Sequence, residues 1–302
     1  MAFLFSNSIS LVTKGKILPP PPTLDIPLNL TTNAVWSTKL RISSYTGPCL
    51  RLRRSTDGSI ADFYADAYGN LGMALGATGT SYSSWKGAST TFVETWYDQS
   101  GKSNNITQST AANQPTYSGI NGVLFNGSNS FLQGSAYSST LNTNSFTIIS
   151  SATNFNTGSF GTIMSSRQGN VSTGIPLKGY TLYKLTTDTW YLQFGKNGSS
   201  TWGDFLTGAA ATTGIRYILA FNQNQTTNVL SSSIKNTSTS AVSNNSIDST
   251  VYVTNALYAA RIGAGVTEQP SAQYFFNGYI NDLFYFGKSL SSTEQTNISN
   301  LL

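Results

Sequence analysis

The chain has 302 residues and a formal net charge of +5, and only 10% of its residues are charged. With no histidine and a single cysteine, it excludes a Ser-His-Asp hydrolase, a histidine-ligated metal site and an intrachain disulfide, and we expect no cofactor. The 16 Phe, 16 Tyr and 5 Trp supply apolar area for a core. Together with abundant Ser, Thr, Asn and Gly, they predict an all-β protein of many short strands.

The first 33 residues differ from the rest in composition. They hold five of the nine prolines, four of them in the run Pro19–Pro22, and such a run favours an extended polyproline conformation. We expect residues 1–33 to form either an extended arm that contacts neighbouring subunits or a simple spacer. The sequence predicts no signal peptide and no membrane span, because its apolar stretches are short and interrupted by polar residues.

The next part of the chain predicts a helix and then a strand. Thr32 or Asn33 is a suitable N-cap for a short helix over residues 34–45, and strict alternation over residues 49–54 indicates a strand. The only basic cluster in the sequence consists of Lys39, Arg41, Arg51, Arg53 and Arg54. We expect no nucleic-acid binding, because such a surface needs a denser patch of positive charge interleaved with exposed aromatic residues.

Residues 91–97 predict a strand that ends in the turn Asp98-Gln99-Ser100-Gly101. Asp98 is expected to cap this turn with its carboxylate, and not to act as a catalyst. Glu94 alternates with Val93, so we expect the two side chains to lie on opposite faces of the strand.

The remainder of the chain predicts short strands separated by Gly, Asn and Ser. A strand, a turn and a strand are expected over residues 121–132, and further strands over 146–152, 161–164, 179–184, 190–194, 216–221, 227–234, 259–262 and 274–286. Asp282 is expected to be a surface carboxylate. Ser291 and Glu294 predict a capping box for a helix over residues 291–302. A two-sheet antiparallel sandwich accounts best for this pattern.

Several ordered motifs resemble the catalytic domain of family 54 α-L-arabinofuranosidases. These motifs are Ser44–Pro48, Leu52–Gly58, Thr95–Gln108 and Gln114-Pro115. The family carries Tyr-Thr-Gly, Arg-Ala-Ser-Asp-Gly and Tyr-Asp-Gln-Ser-Gly-x-Gly-Asn in the same order. The later part of the chain is more loosely similar to concanavalin A-like and laminin G-like jelly rolls. The resemblance implies a concanavalin A-like β-sandwich domain over residues 34–302.

The same resemblance argues against catalysis, because both family carboxylates are missing from the matching segments. The family's acid/base aspartate falls on or near Val266, and the segment that would hold its nucleophilic glutamate, Thr201–Leu206, offers only Asp204. A retaining glycosidase needs two carboxylates about 5–5.5 Å apart. We therefore expect no enzymatic activity. An active arabinofuranosidase that uses Asp204 or Glu268 is the alternative.

The sequence therefore predicts a structural or interaction protein. By analogy with other jelly rolls, we expect a capsid, spike or fibre component of a virus particle, assembled in the host cytoplasm and anchored to other subunits through residues 1–33. The alternative is a carbohydrate-binding module with Trp202 and Asp204 as its sugar-binding residues. Trp190 and Tyr191 either stack on the sugar or belong to the core.

Overall fold

The computed structural model describes residues 12–13, 16–17, 26, 30, 32–66, 69–71, 79–170, 175–196, 201–249 and 252–302. Most of the segment predicted to be an arm, residues 1–33, lies outside the described residues, so its contacts with other subunits stay a prediction. In the part of the chain that is described, no helix has the length and apolar character needed to cross a membrane.

The described residues form twenty strands and two short α-helices, which confirms the all-β prediction. The first ten strands are β1 (Val12–Thr13), β2 (Lys16–Ile17), β3 (Thr32–Ser37), β4 (Leu50–Arg54), β5 (Ile60–Phe63), β6 (Thr91–Trp96), β7 (Ile106–Thr107), β8 (Thr116–Tyr117), β9 (Val123–Asn126) and β10 (Leu132–Gly134). The other ten are β11 (Phe146–Asn154), β12 (Gly161–Asn170), β13 (Ile175–Lys184), β14 (Thr189–Phe194), β15 (Gly203–Ala210), β16 (Arg216–Asn224), β17 (Val229–Asn236), β18 (Val242–Asp248), β19 (Arg261–Ile262) and β20 (Asn277–Phe286). The helices are α1 (Tyr82–Lys86) and α2 (Ser292–Ser299).

All strands from β3 onward pair antiparallel in two layers, as expected for a sandwich. The first sheet has the order β5-β4-β6-β7-β10-β19-β12-β13-β14-β15. The second sheet has the order β18-β17-β16-β11-β20-β3. Strands β8 and β9 connect the layers, because β8 pairs with β6 and β9 pairs with β20.

The main core lies between the two sheets and is rich in aromatic residues. Trp36, Trp96, Trp190, Phe205 and Tyr285 are all fully buried there, and each contributes stability through the apolar area that it removes from water. A second, smaller core covers the outer face of the second sheet. There α2 and the chain just before it pack against the sheet through Ile298 and Leu290.

The predicted helix over residues 34–45 is wrong, because residues Thr32–Ser37 form β3. This strand pairs with β20 and places Trp36 opposite Leu283. Its alternating side chains are buried on both faces: Ala34 and Trp36 join the main core, whereas Val35 joins the second core. The apolar area that β3 buries on both of its faces outweighs the local helical signal of the cap.

Asp282 is also placed differently from the prediction of a surface carboxylate. It is 3% exposed on β20, in the interior of the second sheet. Arg41 Nε lies 2.9 Å from Asp282 Oδ1, and the Ser37 hydroxyl donates to the same oxygen. The guanidinium also donates to the carbonyl oxygen of Leu301 at 2.7 Å. A carboxylate on a central strand is tolerated because these donors satisfy its charge.

The turn after β6 confirms the role predicted for Asp98. Its buried carboxylate accepts hydrogen bonds from the backbone N–H groups of Val35 at 2.9 Å, Ser100 at 2.8 Å and Asn104 at 3.0 Å. The turn is thereby fastened to β3. The opposite orientation of Val93 and Glu94 is confirmed as well, since Val93 is fully buried and Glu94 is half-buried.

The predicted capping box of the closing helix is confirmed. The Ser291 side chain accepts from the backbone N–H of Glu294, and the Glu294 carboxylate accepts from the backbone N–H of Ser291 at 2.7 Å.

We expect Asp98→Ala to lower the free energy of unfolding by about 3 kcal/mol, because it leaves one buried and two half-buried backbone N–H donors without an acceptor. Asp98→Asn keeps one acceptor oxygen, so its free energy of unfolding should lie between those of the wild type and Asp98→Ala. Urea denaturation followed by tryptophan fluorescence measures both changes. Asp57→Asn is the matched control, since its exposed carboxylate pairs with Arg54 and accepts from the backbone N–H of Ser59 at 3.0 Å, where solvent can replace both contacts. An unchanged unfolding midpoint in Asp98→Ala would contradict the assigned role.

Candidate functional site

A row of polar residues crosses the outer face of the first sheet in strict register. One residue from each of the ten strands contributes: Asp62, Arg51, Thr95, Thr107, Gln133, Arg261, Ser165, Thr181, Gln193 and Asp204. Residues directly opposite each other in antiparallel strands share a face. Their chain neighbours, such as Leu52, Leu192 and Phe205, are buried in the core. We call these ten residues the polar row.

The middle of the polar row is covered by residues 263–268, which are themselves buried. Arg261 fastens this loop to the sheet. Its guanidinium donates to the carbonyl oxygens of Val266 at 3.0 Å and Gln269 at 3.0 Å, and to the Gln133 side chain at 2.5 Å. Burial lowers the pKa of Arg261, and the negative charge of Glu268 opposes that shift. The row is therefore open to solvent mainly toward its two ends.

Asp204 lies at the β15 end of the row and is exposed. It accepts hydrogen bonds from the Tyr191 hydroxyl and, at 3.4 Å, from the Gln193 amide. The pKa of Tyr191 is raised, first by burial and then by the hydrogen bond to Asp204. These donors leave the carboxylate facing solvent with a fixed orientation.

Arg167 on β12 connects the residues at this end of the row. Its guanidinium carbon lies 4.4 Å from the centre of the Trp202 ring, its Nε lies 2.9 Å from Glu268 Oε1, and its Nη1 donates to Gln193 Oε1 at 3.2 Å. The Glu268 side chain is fully buried beneath it. The structure therefore places Trp202, Asp204 and Glu268 around Arg167. The sequence analysis identified the first three residues but not Arg167.

The electrostatics of Glu268 follow from this position. Burial raises the pKa of its carboxyl above the ordinary value of 4.5, and the positive charge of Arg167 acts in the opposite direction. The loop that carries Glu268 is tied to β12, because the backbone N–H of Arg167 donates to the Thr267 hydroxyl at 2.8 Å and the hydroxyl donates back to the Arg167 carbonyl. The ion pair with Arg167 and the hydrogen bonds of Thr267 thus hold the loop that carries Glu268 against β12.

Val266, on or near which the sequence comparison puts the family's acid/base aspartate, has a backbone φ of +59°. A β-branched residue rarely adopts this left-handed conformation. Its side chain is 5% exposed and carries no ionisable group. Proton transfer at this position is therefore chemically excluded.

Trp190 and Tyr191 differ in their placement. Trp190 is fully buried and packs edge-on against Tyr217 at 5.8 Å, so it belongs to the core. Tyr191 is 4% exposed, packs against Tyr183 at 5.0 Å and supports Asp204 from behind.

Sequence reasoning missed Arg167, Gln193 and the strand that carries Asp204. The strand predicted over residues 161–164 continues as β12 to Asn170, which places Arg167 on the sheet. Gln193 lies two residues after Tyr191 on β14 and so shares its face, a signal that alternation alone provides. β15 and β18 were not predicted, because Gly and Ser interrupt their apolar alternation.

No family model matches this sequence, and no curated protein matches it. Among solved structures, an arabinofuranosidase complexed with arabinofuranosyl-α-1,2-xylobiose has a TM-score of 0.62 at 12% identity, and the match covers 89% of this chain and 62% of that chain. A mutant GH54 α-L-arabinofuranosidase soaked with 4-nitrophenyl α-L-arabinofuranoside gives a TM-score of 0.62 at 11% identity, with coverages of 89% and 62%. The chain shares the β-sandwich fold of these arabinofuranosidases.

This likeness confirms the fold resemblance seen in the sequence motifs, and at such low identity it concerns the fold alone. The chain spans about three fifths of the length of the arabinofuranosidases that it matches. The carbohydrate-binding module CBM40 of the Ruminococcus gnavus IT-sialidase also aligns, with a TM-score of 0.43 at 14% identity over 55% of this chain and 92% of that chain. A TM-score this low supports no argument about the present site.

We expect the stability advantage of the wild type over Glu268→Gln to fall as the pH rises. The folded-state pKa of Glu268 is raised above 4.5, so its stabilising contribution is complete below the unfolded-state pKa and is lost as the pH passes the folded-state pKa. Urea unfolding of both proteins over a pH series measures this difference.

Glu294→Gln provides a control of opposite sign. Hydrogen bonds from Ser291 lower the pKa of Glu294, so its contribution should be lost as the pH falls through that lowered value. A difference between wild type and Glu268→Gln that stays constant with pH would contradict the burial of an ionisable Glu268.

Proposed function

We propose that this chain is a non-enzymatic interaction protein that binds glycans at the β15 end of the polar row. The observation that carries the proposal is the stack of Arg167 against Trp202 beside the exposed carboxylate of Asp204. Sugar sites combine an aromatic face with a few fixed polar groups, and this surface offers both.

The chemistry of the surface supports recognition of a sugar. The partly exposed Trp202 ring offers an apolar face for sugar C–H groups, and Asp204 offers a charged acceptor for hydroxyl groups. Gln193 supplies a neighbouring amide. Arg167 fixes the ring from one side while Glu268 and Gln193 hold the arginine in place. A site held in its binding orientation loses less entropy when a ligand arrives.

The positions of the two carboxylates favour binding over hydrolysis. Glu268 is fully buried and paired with Arg167, so it does not face a sugar that rests on Trp202. A general acid must reach the leaving-group oxygen within hydrogen-bond distance. Of the two carboxylates described at the proposed site, only Asp204 then faces solvent, whereas a retaining glycosidase needs two carboxylates that face the substrate.

We expect Trp202→Ala to weaken glycan binding at least tenfold, and Asp204→Asn to weaken it severalfold, since each removes a main contact of the proposed site. A glycan array that includes arabinofuranosyl-α-1,2-xylobiose identifies the ligand, and isothermal titration calorimetry measures the affinities.

The matched control is Trp85→Ala, which removes a second Arg–Trp stack, with Arg54 5.0 Å from the ring centre. This control should bind the glycan as the wild type does. The proposal is overturned if no glycan binds, or if Trp202→Ala and Asp204→Asn both bind it unchanged.

We expect the chain to release no 4-nitrophenol from 4-nitrophenyl α-L-arabinofuranoside above the buffer rate, because the buried Glu268 does not reach the substrate. Absorbance at high protein concentration measures the rate. Release that Asp204→Asn or Glu268→Gln abolishes would instead support the alternative, an active arabinofuranosidase.

The assignment to a capsid, spike or fibre of a virus particle, with its localisation there, stays a prediction from composition and analogy. A glycan-binding sandwich is compatible with an attachment role in such a particle. Contacts of residues 1–33 with another subunit in the assembled particle would support it, and a monomer without such contacts would count against it.

A further inference from the structure

Four aromatic rings form a chain of contacts that begins at the buried Tyr191 beside Asp204 and ends at two exposed rings. Tyr191, whose hydroxyl donates to Asp204, packs against Tyr183 at 5.0 Å between ring centres. Tyr183 lies 5.9 Å from Phe160, and Phe160 lies 5.0 Å from Tyr274. We call these four rings the aromatic chain. Its inner end contacts Asp204 of the proposed sugar site, and its outer end lies two ring contacts further on.

The rings become more exposed along the chain. Tyr191 and Tyr183 are 4% and 8% exposed, whereas Phe160 and Tyr274 are 36% and 42% exposed. The two outer rings are tilted by 59° and present a broad apolar surface to solvent. Single exposed apolar residues are ordinary, but adjoining exposed rings beside a candidate site indicate a contact surface.

The backbone of Tyr274 supplies an independent sign of function. Its φ is +54°, in the left-handed region that bulky residues seldom occupy. Neighbouring hydrogen bonds hold this conformation: Thr162 N–H donates to the Tyr274 carbonyl at 2.9 Å, and Gly265 N–H donates to the Gln273 carbonyl at 2.8 Å. Conformations of this kind persist where surrounding structure enforces them, and they cluster at ligand sites.

We propose that Phe160 and Tyr274 form a second sugar subsite, so that the ligand is an oligosaccharide and not a single terminal sugar. This inference rests on the proposed glycan-binding function. The first sugar would rest on Trp202 and Asp204, and a further sugar would stack on the two exposed rings, which lie beyond the buried Tyr183. Aromatic faces suit the C–H surfaces of a sugar, and charge is not required for that contact.

The experiment compares a long and a short ligand. The long probe is arabinofuranosyl-α-1,2-xylobiose and the short probe is methyl α-L-arabinofuranoside. If the array selects another glycan, that glycan is the long probe and the methyl glycoside of its terminal sugar is the short probe. Calorimetry gives the affinity of each variant for both probes. We expect Tyr274→Ala and Phe160→Ala each to weaken oligosaccharide binding about three- to tenfold and to leave binding of the methyl glycoside unchanged.

Three further variants separate a subsite from a folding effect. Trp202→Ala should weaken both probes, and Tyr274→Phe, which keeps the ring, should bind both as the wild type does. Phe155→Ala removes a comparable ring, which is 38% exposed and packs edge-on against Tyr279 at 5.0 Å. Among the described residues, Phe155 has no ring contact with the aromatic chain. This variant should change neither affinity.

The outcomes distinguish this inference from the proposed function. If no glycan binds to the wild type, the proposed function fails and the subsite fails with it. If the oligosaccharide binds and Phe160→Ala and Tyr274→Ala leave its affinity unchanged, or weaken both probes equally, the subsite is overturned and the glycan-binding function stands. A change in sedimentation velocity alone would assign the rings to contacts between copies of the chain, and would also overturn the subsite.

Discussion

The antiparallel register of the ten-stranded sheet is the constraint on which the other features depend. Because side chains alternate along every strand, one register places apolar residues such as Leu192 and Phe205 in the core, and it places Gln193 and Asp204 together on the outer face. A slip of one residue in β15 would bury the Asp204 carboxylate and expose the Phe205 ring. The large energetic cost of that exchange protects the arrangement of the site.

Three arginines, two of them buried and one half-buried, organise the surfaces of this sandwich in different ways. Arg41 pairs with a carboxylate on a central strand, Arg261 binds mainly backbone carbonyl oxygens, and Arg167 joins an ion pair to an aromatic face. The planar guanidinium allows all three, because its donors point in fixed directions and its face stacks on rings. In a chain without histidine, arginine thus supplies several of the charged contacts that hold loops to the sheets.

The sequence was sufficient to predict elements whose signal is local. Alternation predicted β4, strand-favouring residues predicted β6, and local turn and cap chemistry predicted the roles of Asp98 and Ser291. It failed for β3, where burial on both faces is decided by distant strands, and for Asp282, whose partner Arg41 lies 241 residues away in the sequence. The residues of the candidate site show the same division. Trp202 and Asp204 follow from local chemistry, whereas Arg167 joins the site only because β12 pairs with β13 and β13 with β14, which sets Arg167 beside Gln193.

The contact between Arg167 and Glu268 has a consequence for how any ligand must approach. A ligand that drew the arginine toward itself would leave a buried carboxylate without its counter-charge, at a cost of several kcal/mol. Recognition must therefore take place on a surface that does not rearrange. The same ion pair holds the loop of residues 263–268 and positions Arg167 against Trp202, so a substitution that loosens this loop should also change the geometry of the proposed site.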